Sequence, residues 1–395
     1  MNLRWFFSSR VRNASERCDH IQKLFNAQRD LMSASAVEAL QSRIGETRRA
    51  IEAGQDLENQ IEALEEVAGR HLKPYPNAEW RENIEVFLVA IAVAMAIRTF
   101  FIQPFKIPTG SLQPTLFGIT MEDLGEHPEA KVPGLLDRIK DAVIGGVFYH
   151  TLQAADDGEI VDIPPPSSLL HVITKQDIRV RYTGGGRERN ETLTLWFAPS
   201  ENFERASRLR SGQTFSKGDW LVRLKEVSGD HLFVDRFTYN FRKPKRGEIV
   251  VFQTRGIEAL PQDQFYIKRL VALPGEKVQI GEDRHLVIDG NRLDASTPHF
   301  GKVYSFKGPP MTDRYSGHVN VNTARYSLTG VTYFYPNLTY QVRPNHYMVM
   351  GDNTMNSSDG RFWGDFPESN VIGKSFFVYW PISNHDSSRF GWSVE

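Results

Sequence analysis

The chain has 395 residues, of which 40% are hydrophobic and 24% are charged, and its formal net charge is −1. This composition predicts a globular protein with a hydrophobic core and excludes the strongly basic balance of a nucleic-acid-coating protein. The single cysteine, Cys18, excludes an intramolecular disulfide, and no Cys-x-x-Cys motif or closely paired histidines indicate a zinc site.

Residues 1–83 are predicted to form a polar helical region. Apolar side chains recur there at spacings of three, four and seven, which is typical of an amphipathic helix. The stripe consists of Leu40, Ile44, Ile51, Leu57, Ile61 and Leu64. Gly54 is expected to divide it into two helices, giving a solvated helical hairpin or a short coiled coil. Pro74 and Pro76 then predict a linker, because proline stops a helix.

The main apolar segment runs from residue 84 to residue 102 and predicts a transmembrane anchor. As a helix it would span roughly 28 Å, close to the roughly 30 Å of a bilayer core. Glu85 and Arg98 lie near its ends, where an arginine can reach the lipid headgroups. The charge-free part, residues 86–97, is also short enough for a buried core helix, and that alternative stays open.

After residue 103 the pattern changes to short alternating apolar runs separated by Gly, Pro and Asp. This pattern predicts a mainly β architecture. The runs are residues 171–182, 192–197, 220–227, 231–237, 248–252, 266–273, 285–290, 347–351 and 375–380. The glycines at 184–186 predict a hairpin between the first two runs. Residues 118–170 are less regular and include a segment of helical character at 135–146.

Two side chains in this region suggest nucleophilic chemistry when they are taken together. Ser111 lies between Gly110 and Leu112 in a proline-flanked turn, and its hydroxyl becomes a good nucleophile only beside a base. Lys268 lies in a predicted strand with apolar neighbours. A free lysine has a pKa of about 10.4, but burial can lower that pKa by up to about 3–5 units. By themselves, an ordinary turn serine and a solvated lysine remain the simpler interpretations.

Residues 351–364 form a loop rich in Gly, Asp, Asn and Ser. Asp359 and Arg361 are predicted to form a charge-assisted pair that fixes this loop. The oxygen donors also allow a calcium loop, although the glutamate that an EF-hand requires is absent from its expected position.

These segments resemble blocks of the bacterial type I signal peptidases, a serine–lysine endopeptidase family. The blocks occur in the family's order after the apolar anchor. They read FKIPTGSLQPTL at 105–116, SGDHLFVDRFTYNFRKPKRGEIVVF at 228–252, FYIKRLVALPGE at 265–276 and GDNTMNSSDGRFWG at 351–364. Their order makes chance agreement improbable, although each block by itself is a weak signal.

The resemblance implies a role for each matching residue. Ser111 matches the nucleophile, Lys268 the general base, and Ser357 a second serine that orients the lysine. Thr109 and the Ser111 N–H match the oxyanion hole. Asp359 and Arg361 match the pair that shapes the loop. The positions that match shallow apolar pockets for small substrate side chains, in the A-x-A pattern of signal peptides, are Phe105, Ile107, Pro108, Leu112, Leu116 and Ile267.

Three positions depart from the family pattern. Thr109 stands where many relatives have serine, which keeps the hydroxyl. Leu112 replaces a common methionine, which should only reshape a pocket. Gly360 stands where many relatives have a second serine, so one hydrogen bond is expected to be missing.

The resemblance also implies an architecture. It is an antiparallel β-sheet catalytic domain preceded by the polar helical region and one transmembrane helix. The predicted parts are residues 1–83 (N-terminal region), 84–102 (anchor), 103–117 with 228–395 (catalytic domain) and 118–227 (inserted region). A second insertion lies at 291–340, and both insertions are predicted to be accessory β structure.

The implied activity is cleavage of signal peptides through an acyl-enzyme, without a metal or organic cofactor. The expected partners are secretory preproteins, which would pair with a strand edge, and the lipid bilayer, but not nucleic acid. The expected location is the bacterial inner (plasma) membrane, with a single span and the catalytic domain on the periplasmic side. Nothing in the sequence indicates an oligomeric state.

Three other hypotheses remain open at this point. Ser111 could use a histidine base, for which the candidates are His231, His285, His318 and His346. A repressor-type autoprotease would share the serine–lysine chemistry, but it would need a basic helix-turn-helix in residues 1–80. A membrane-tethered β scaffold would explain the anchor and the N-terminal stripe without any catalysis.

Overall fold

The computed structural model describes most of the chain and divides it into two compact units. The units are Met1–Val93 and Ala94–Glu395. The described residues are 8–73, 78–127, 129–169, 173–184, 188–197, 203–306, 316–324, 330–335, 338–384 and 387–392. The predicted linker prolines and two of the three hairpin glycines (residues 185 and 186) lie outside them.

Three helices form the N-terminal unit, α1 (Ser9–Gln28), α2 (Ala34–Ala53) and α3 (Leu57–His71). The hydroxyls of Ser8 and Ser33 cap the first two helices by accepting backbone N–H groups. Gly54 ends α2 in a left-handed conformation, as predicted from the sequence.

The apolar stripe of α2 and α3 is buried as predicted, since Leu40 and Leu64 have no exposed surface. The expected hairpin is a three-helix bundle, however, because α1 contributes Cys18, Ile21 and Phe25 to the same core.

The apolar segment forms one helix, α4 (Ala78–Phe100), which is long and apolar enough to cross a membrane. Its side chains are exposed; Phe87, for example, is 64% exposed. This contradicts the alternative of a buried core helix. The boundaries predicted for the anchor, 84 and 102, differ from those of the helix. The helix begins at Ala78, and Ile102 already belongs to a strand.

The rest of the chain is mainly antiparallel β-structure, which confirms the predicted fold class. The strands are β1 (Ile102–Lys106), β2 (Thr120–Asp123), β3 (Val147–Gln153), β4 (Gly158–Asp162), β5 (Ser167–Leu169), β6 (Ile173–Tyr182), β7 (Arg189–Trp196), β8 (Thr214–Phe215), β9 (Trp220–Val227), β10 (His231–Asp235), β11 (Ile249–Gln253), β12 (Phe265–Ala272), β13 (Lys277–Ile280), β14 (Leu286–Ile288), β15 (Asn291–Arg292), β16 (Tyr340–Gln341), β17 (His346–Met350), β18 (Phe366–Pro367), β19 (Val371–Trp380), β20 (Ser383–Asn384), β21 (Ser387–Ser388) and β22 (Gly391–Trp392). Short helices occur at α5 (Leu135–Lys140), α6 (Phe203–Ser207) and α7 (Gly360–Trp363).

The largest sheet has the strand order β1-β10-β19-β11-β12-β17-β18, with β22 beside β19. Its central strands, such as β11 and β12, carry runs of buried apolar residues because both faces of the sheet are covered. The rings of Phe105 on β1 and Phe265 on β12 lie 5.4 Å apart, although their strands are not neighbours in the sheet. The sheet is therefore strongly curled.

The inserted region 118–227 forms two further sheets. One has the order β2-β9-β3, and the other has the order β5-β6-β4-β8 with β7 beside β6. The predicted hairpin is confirmed by the antiparallel pairing of β6 and β7. Inward-facing side chains such as Ile160, Ile178 and Leu224 form a core for this region. This first insertion is accessory β structure, as expected.

The second insertion does not match its prediction. Between β15 and β16, the described residues form turns and loops rather than strands. Phe300, Val303 and Phe334 from this segment are at most 1% exposed and pack in one core with Met348 and Met350 of β17. The segment therefore belongs to the core beneath the largest sheet, and burial of its aromatic side chains holds it without strand pairing.

Candidate active site

Ser111 lies in a single 3-10 turn, Gly110–Leu112, a few residues after β1. The turn is held by close backbone packing. A side chain at Gly118 would place its Cβ 2.1 Å from the carbonyl carbon of Thr109, so only glycine fits there. Asn353 reinforces the turn, since its N–H donates to the Ser111 carbonyl and its side-chain amide donates to the Gly110 carbonyl.

The side chain of Lys268 contacts that of Ser111, although the two residues are 157 positions apart in the sequence. Lys268 Nζ lies 2.7 Å from Ser111 Oγ, and the lysine is 4% exposed. Within the part of the chain that the structure describes, the polar side-chain atoms within hydrogen-bond distance of Ser111 Oγ are Lys268 Nζ and Thr109 Oγ1. The arrangement favours a lysine partner for Ser111 over any of the four candidate histidines.

The surroundings of Lys268 favour its neutral form. Burial lowers the pKa of its ammonium group from 10.5 to about 8. The Asp359 carboxylate opposes this shift, and the Arg361 guanidinium adds to it. The burial that the base requires is therefore present, and near pH 8 a large fraction of this lysine can accept a proton.

Thr109 places its hydroxyl 3.4 Å from Ser111 Oγ. Thr109 has an extended backbone, and the 3-10 turn begins at the next residue. N–H groups in the first turn of a helix have no partner within the helix. The Ser111 N–H and the Thr109 hydroxyl can thus act as two neighbouring donors, as the oxyanion-hole prediction requires.

Arg269, next to Lys268, is buried on the opposite face of β12. Its guanidinium donates two hydrogen bonds to Asp352, at 2.8 and 2.6 Å, and the pair is at most 1% exposed. Thr115 donates to the same carboxylate at 2.5 Å, and Arg269 also donates to the Gly247 carbonyl. The network joins the Ser111 segment, β12 and the 351–361 loop.

Arg269, Asp352 and Thr115 were not among the site residues predicted from the sequence. A signal for the first was present, because two adjacent basic residues in one strand point to opposite faces of the sheet. Both faces proved to be buried, so one cation needed a buried carboxylate as its partner.

The predicted pair of Asp359 and Arg361 is confirmed, with hydrogen bonds of 2.9 and 2.8 Å. Burial would raise the pKa of Asp359, but the Arg361 charge and hydrogen bonds from Arg361, the Gly351 N–H and the Ser357 hydroxyl lower it to about 2. Asp359 is therefore ionised at any physiological pH. Because Asp352 and Asp359 are both held by guanidinium groups, the loop is built as an ion-paired scaffold rather than as a calcium loop.

Ser357 is 3% exposed, and its hydroxyl is near enough to Asp359 to help lower the pKa of that carboxyl. Its predicted effect on Lys268 stays a prediction. A Cβ at Gly351 would lie 2.2 Å from Ser357 Oγ and 2.5 Å from the Ser111 carbonyl oxygen. The absence of a side chain at Gly351 is what allows the two serine segments to approach each other.

Steric contacts explain why position 360 is a glycine. A Cβ at this position would lie 2.3 Å from Met348 Sδ and 2.8 Å from the Val349 carbonyl oxygen. The packing of β17 excludes the serine that many relatives carry here.

The second insertion contacts the 351–361 loop directly. The Val319 N–H and Arg361 Nη1 both donate to Thr354 Oγ1, at 2.8 Å each. The N–H groups of Thr332 and Tyr333 donate to the Arg361 carbonyl. A segment with no evident motif therefore supports the arginine that holds Asp359.

The six residues predicted to contact substrate fall into two groups. Ile107, Leu112 and Leu116 are at most 2% exposed and lie in the core below Ser111. Phe105, Pro108 and Ile267 retain exposed surface. For all six residues, contact with substrate stays a prediction.

Removing the Thr354 hydroxyl should destabilise the protein. Thr354→Val keeps the volume but leaves a buried Arg361 N–H and the Val319 N–H without this acceptor, which should cost about 1–3 kcal/mol. Thermal unfolding of the purified protein measures the loss. Thr192→Val, on an exposed strand position, is the matched control and should change stability by less than about 0.5 kcal/mol. Equal unfolding temperatures for both variants would contradict the assigned support.

Comparisons with known proteins found similarity to signal peptidases. Residues 224–380 match the family model described as signal peptidase, peptidase S26. The chain is 30% identical over 159 residues to signal peptidase I of Leptolyngbya laminosa, a match that covers 39% of this chain and 62% of the relative. For probable signal peptidase I-2 of Synechocystis the identity is 28% over 154 residues, covering 39% and 56%.

Signal peptidase I of Pseudomonas aeruginosa is 27% identical over 182 residues, with coverages of 39% and 60%. A solved signal peptidase I structure from Enterococcus faecalis is 26% identical with a TM-score of 0.24, covering 34% of this chain and 97% of that one. The chain thus spans less than two thirds of these curated relatives' length. Residues 224–380 of this chain are thus similar to the signal peptidases of peptidase family S26.

Proposed function

We propose that this protein is a membrane-anchored signal peptidase I, a serine endopeptidase that cleaves signal peptides from secreted preproteins through Ser111 and Lys268. The observation that carries the proposal is the 2.7 Å contact between a buried lysine and a serine hydroxyl, with the lysine inside the segment that matches the family. Each group by itself is unreactive, and only their contact makes a nucleophile and base.

The mechanism begins with neutral Lys268 accepting the Ser111 proton while Ser111 Oγ attacks the peptide carbonyl carbon. The resulting oxyanion is stabilised by the Ser111 N–H and the Thr109 hydroxyl. The lysine then gives its proton to the leaving amine as the peptide C–N bond breaks. Water, deprotonated by the same lysine, hydrolyses the acyl-enzyme and restores Ser111.

The remaining predicted site residues position this pair. Asp359 and Arg361 shape the loop that carries Ser357, and the Ser357 hydroxyl orients the lysine. The ion pair supports this role because it keeps Asp359 charged and hydrogen-bonded without exposing it to water.

The proposed substrate is an extended preprotein segment with small residues before the cut, in the A-x-A pattern. The curl of the sheet supports this, since Phe105 and Phe265 bring the edge strand β1 close to the start of β12. The proposed pocket residues for these small side chains are Phe105, Ile107, Pro108, Leu112, Leu116 and Ile267. The substrate backbone would pair with the strand edge.

The proposed domain organisation follows the predicted segments. Residues 103–117 with 228–395 form the catalytic domain, 118–227 form an inserted accessory region, and the helical region precedes the anchor. We place the catalytic domain on the periplasmic side of the bacterial inner membrane. Three basic residues precede the span, Arg70, Lys73 and Arg81, against Arg98 and Lys106 at its other end.

Removing either member of the pair should abolish cleavage without unfolding the protein. For an A-x-A preprotein peptide, Ser111→Ala and Lys268→Ala should each lower kcat by at least about 10⁴-fold. The matched controls are Ser358→Ala in the same loop and Lys277→Ala on an exposed strand position, which should retain activity. Circular dichroism checks the fold. Robust turnover by the folded Lys268→Ala variant would refute the proposed base.

The pH dependence of kcat/KM should report the buried lysine. Below its pKa of about 8 the base is protonated, so kcat/KM should fall about tenfold per pH unit. Above pH 8 the neutral form dominates and the rate should level off. A lysine of ordinary pKa would instead give a rate that keeps rising to about pH 10. A profile without a rise between about pH 6 and pH 8 would exclude Lys268 as the base.

The orientation can be measured by protease protection in spheroplasts. Added protease should digest the catalytic domain and leave residues 1–83 protected, because positive flanks stay in the cytoplasm. Permeabilised spheroplasts, in which both parts are digested, are the control. Digestion of the N-terminal bundle in intact spheroplasts would reverse the proposed orientation.

A further inference from the structure

A cavity of about 640 Å³ opens beside the two segments that carry the catalytic serine and its supporting loop. On one side it is lined by Pro108, next to Thr109, and by Asn356, next to Ser357. On the other side it is lined by the inserted region, mainly by β2 and the start of the following turn. The cavity therefore joins the catalytic site to an insertion that has had no assigned role.

The cavity meets β2 along the edge of the strand. All four residues of Thr120–Asp123 line the cavity. Successive side chains of a strand point to opposite faces of its sheet, so a cavity on one face would touch only alternate residues. The cavity therefore lies at the edge of the strand. β2 is the terminal strand of its sheet and pairs there with β9. Among the described residues no strand pairs with its other edge, so the backbone N–H and C=O groups there can pair with an added strand.

β2 is also tied to the catalytic segment through the backbone. The Ile119 N–H, immediately before β2, donates to the Pro108 carbonyl at 3.2 Å. The four residues of β2 extend over roughly 13 Å. An extended polypeptide that passes Pro108 thus comes within reach of this edge.

We propose that the free edge of β2 is a second binding segment for the preprotein, which adds there as an extended strand flanking the scissile bond. The inference rests on the proposed function and deepens it. A strand edge recognises main-chain groups at a fixed spacing, so the ligand is an extended polypeptide rather than a compact small molecule. Main-chain recognition also tolerates varied side chains in the ligand. The cavity walls are in keeping with this, because they combine apolar and charged side chains such as Met121, Ala206 and Arg208.

The test compares two A-x-A peptides, one limited to the residues around the cut and one extended by about six residues on either side, enough to cover β2. The wild-type protein should cleave the extended peptide with a kcat/KM about tenfold higher, the factor expected from two net main-chain hydrogen bonds. Ala206→Trp, which fills the cavity, should remove this advantage and leave the short peptide unaffected. Ala295→Trp, at an exposed site outside the cavity, is the matched control.

A second readout needs no variant. N-methylation of alternate backbone amides in the extension removes donors, so one of the two alternating series should lose the advantage with wild-type protein. Equal cleavage of short and extended peptides would overturn the β2 proposal while leaving the proposed function intact. An unchanged advantage after both N-methyl series would overturn it as well. Failure to cleave either peptide would instead refute the proposed function.

Discussion

The buried ion pair of Arg269 and Asp352 is the interaction on which the geometry at Ser111 and Lys268 depends. It joins three segments that are far apart in the chain, because Thr115 follows Ser111, Arg269 follows Lys268 and Asp352 opens the loop of Ser357. Separating such a pair would leave a charge in a space without water, which is strongly destabilising. The three segments therefore keep one arrangement, and the 2.7 Å contact at Ser111 is a consequence of it.

Burial affects the two adjacent basic residues of β12 in opposite ways, since one stays charged and the other has a lowered pKa. Arg269 is paired with a carboxylate and remains charged as a structural element. Lys268 contacts a neutral hydroxyl, and burial lowers its pKa to about 8. Asp359 raises the lysine pKa and its partner Arg361 lowers it, and burial is the largest of these effects. The pKa of Lys268 is therefore set mainly by its burial.

Both insertions contact the segments around Ser111 and the 351–361 loop. The second supports Arg361 through Thr354 and fills the core under β17. The first provides one wall of the cavity beside Pro108 and Asn356. The 3-10 turn of Ser111 is accordingly contacted from the sheet, from the 351–361 loop and, across Gly118, from the beginning of the first insertion.

The sequence by itself determined the strands, the anchor helix and the pairing of Asp359 with Arg361, because hydrophobic periodicity and short-range spacing are local properties of the chain. It also brought Ser111 and Lys268 together as candidates through the order of the blocks around them. Only the tertiary structure decided that both faces of β12 are buried, that Asp352 neutralises Arg269, and that Ile107, Leu112 and Leu116 lie in the core. The physical reason is that a period of two assigns a side chain to a face of the sheet, whereas what covers that face comes from segments more than 80 residues away, such as the 83 that separate Arg269 from Asp352.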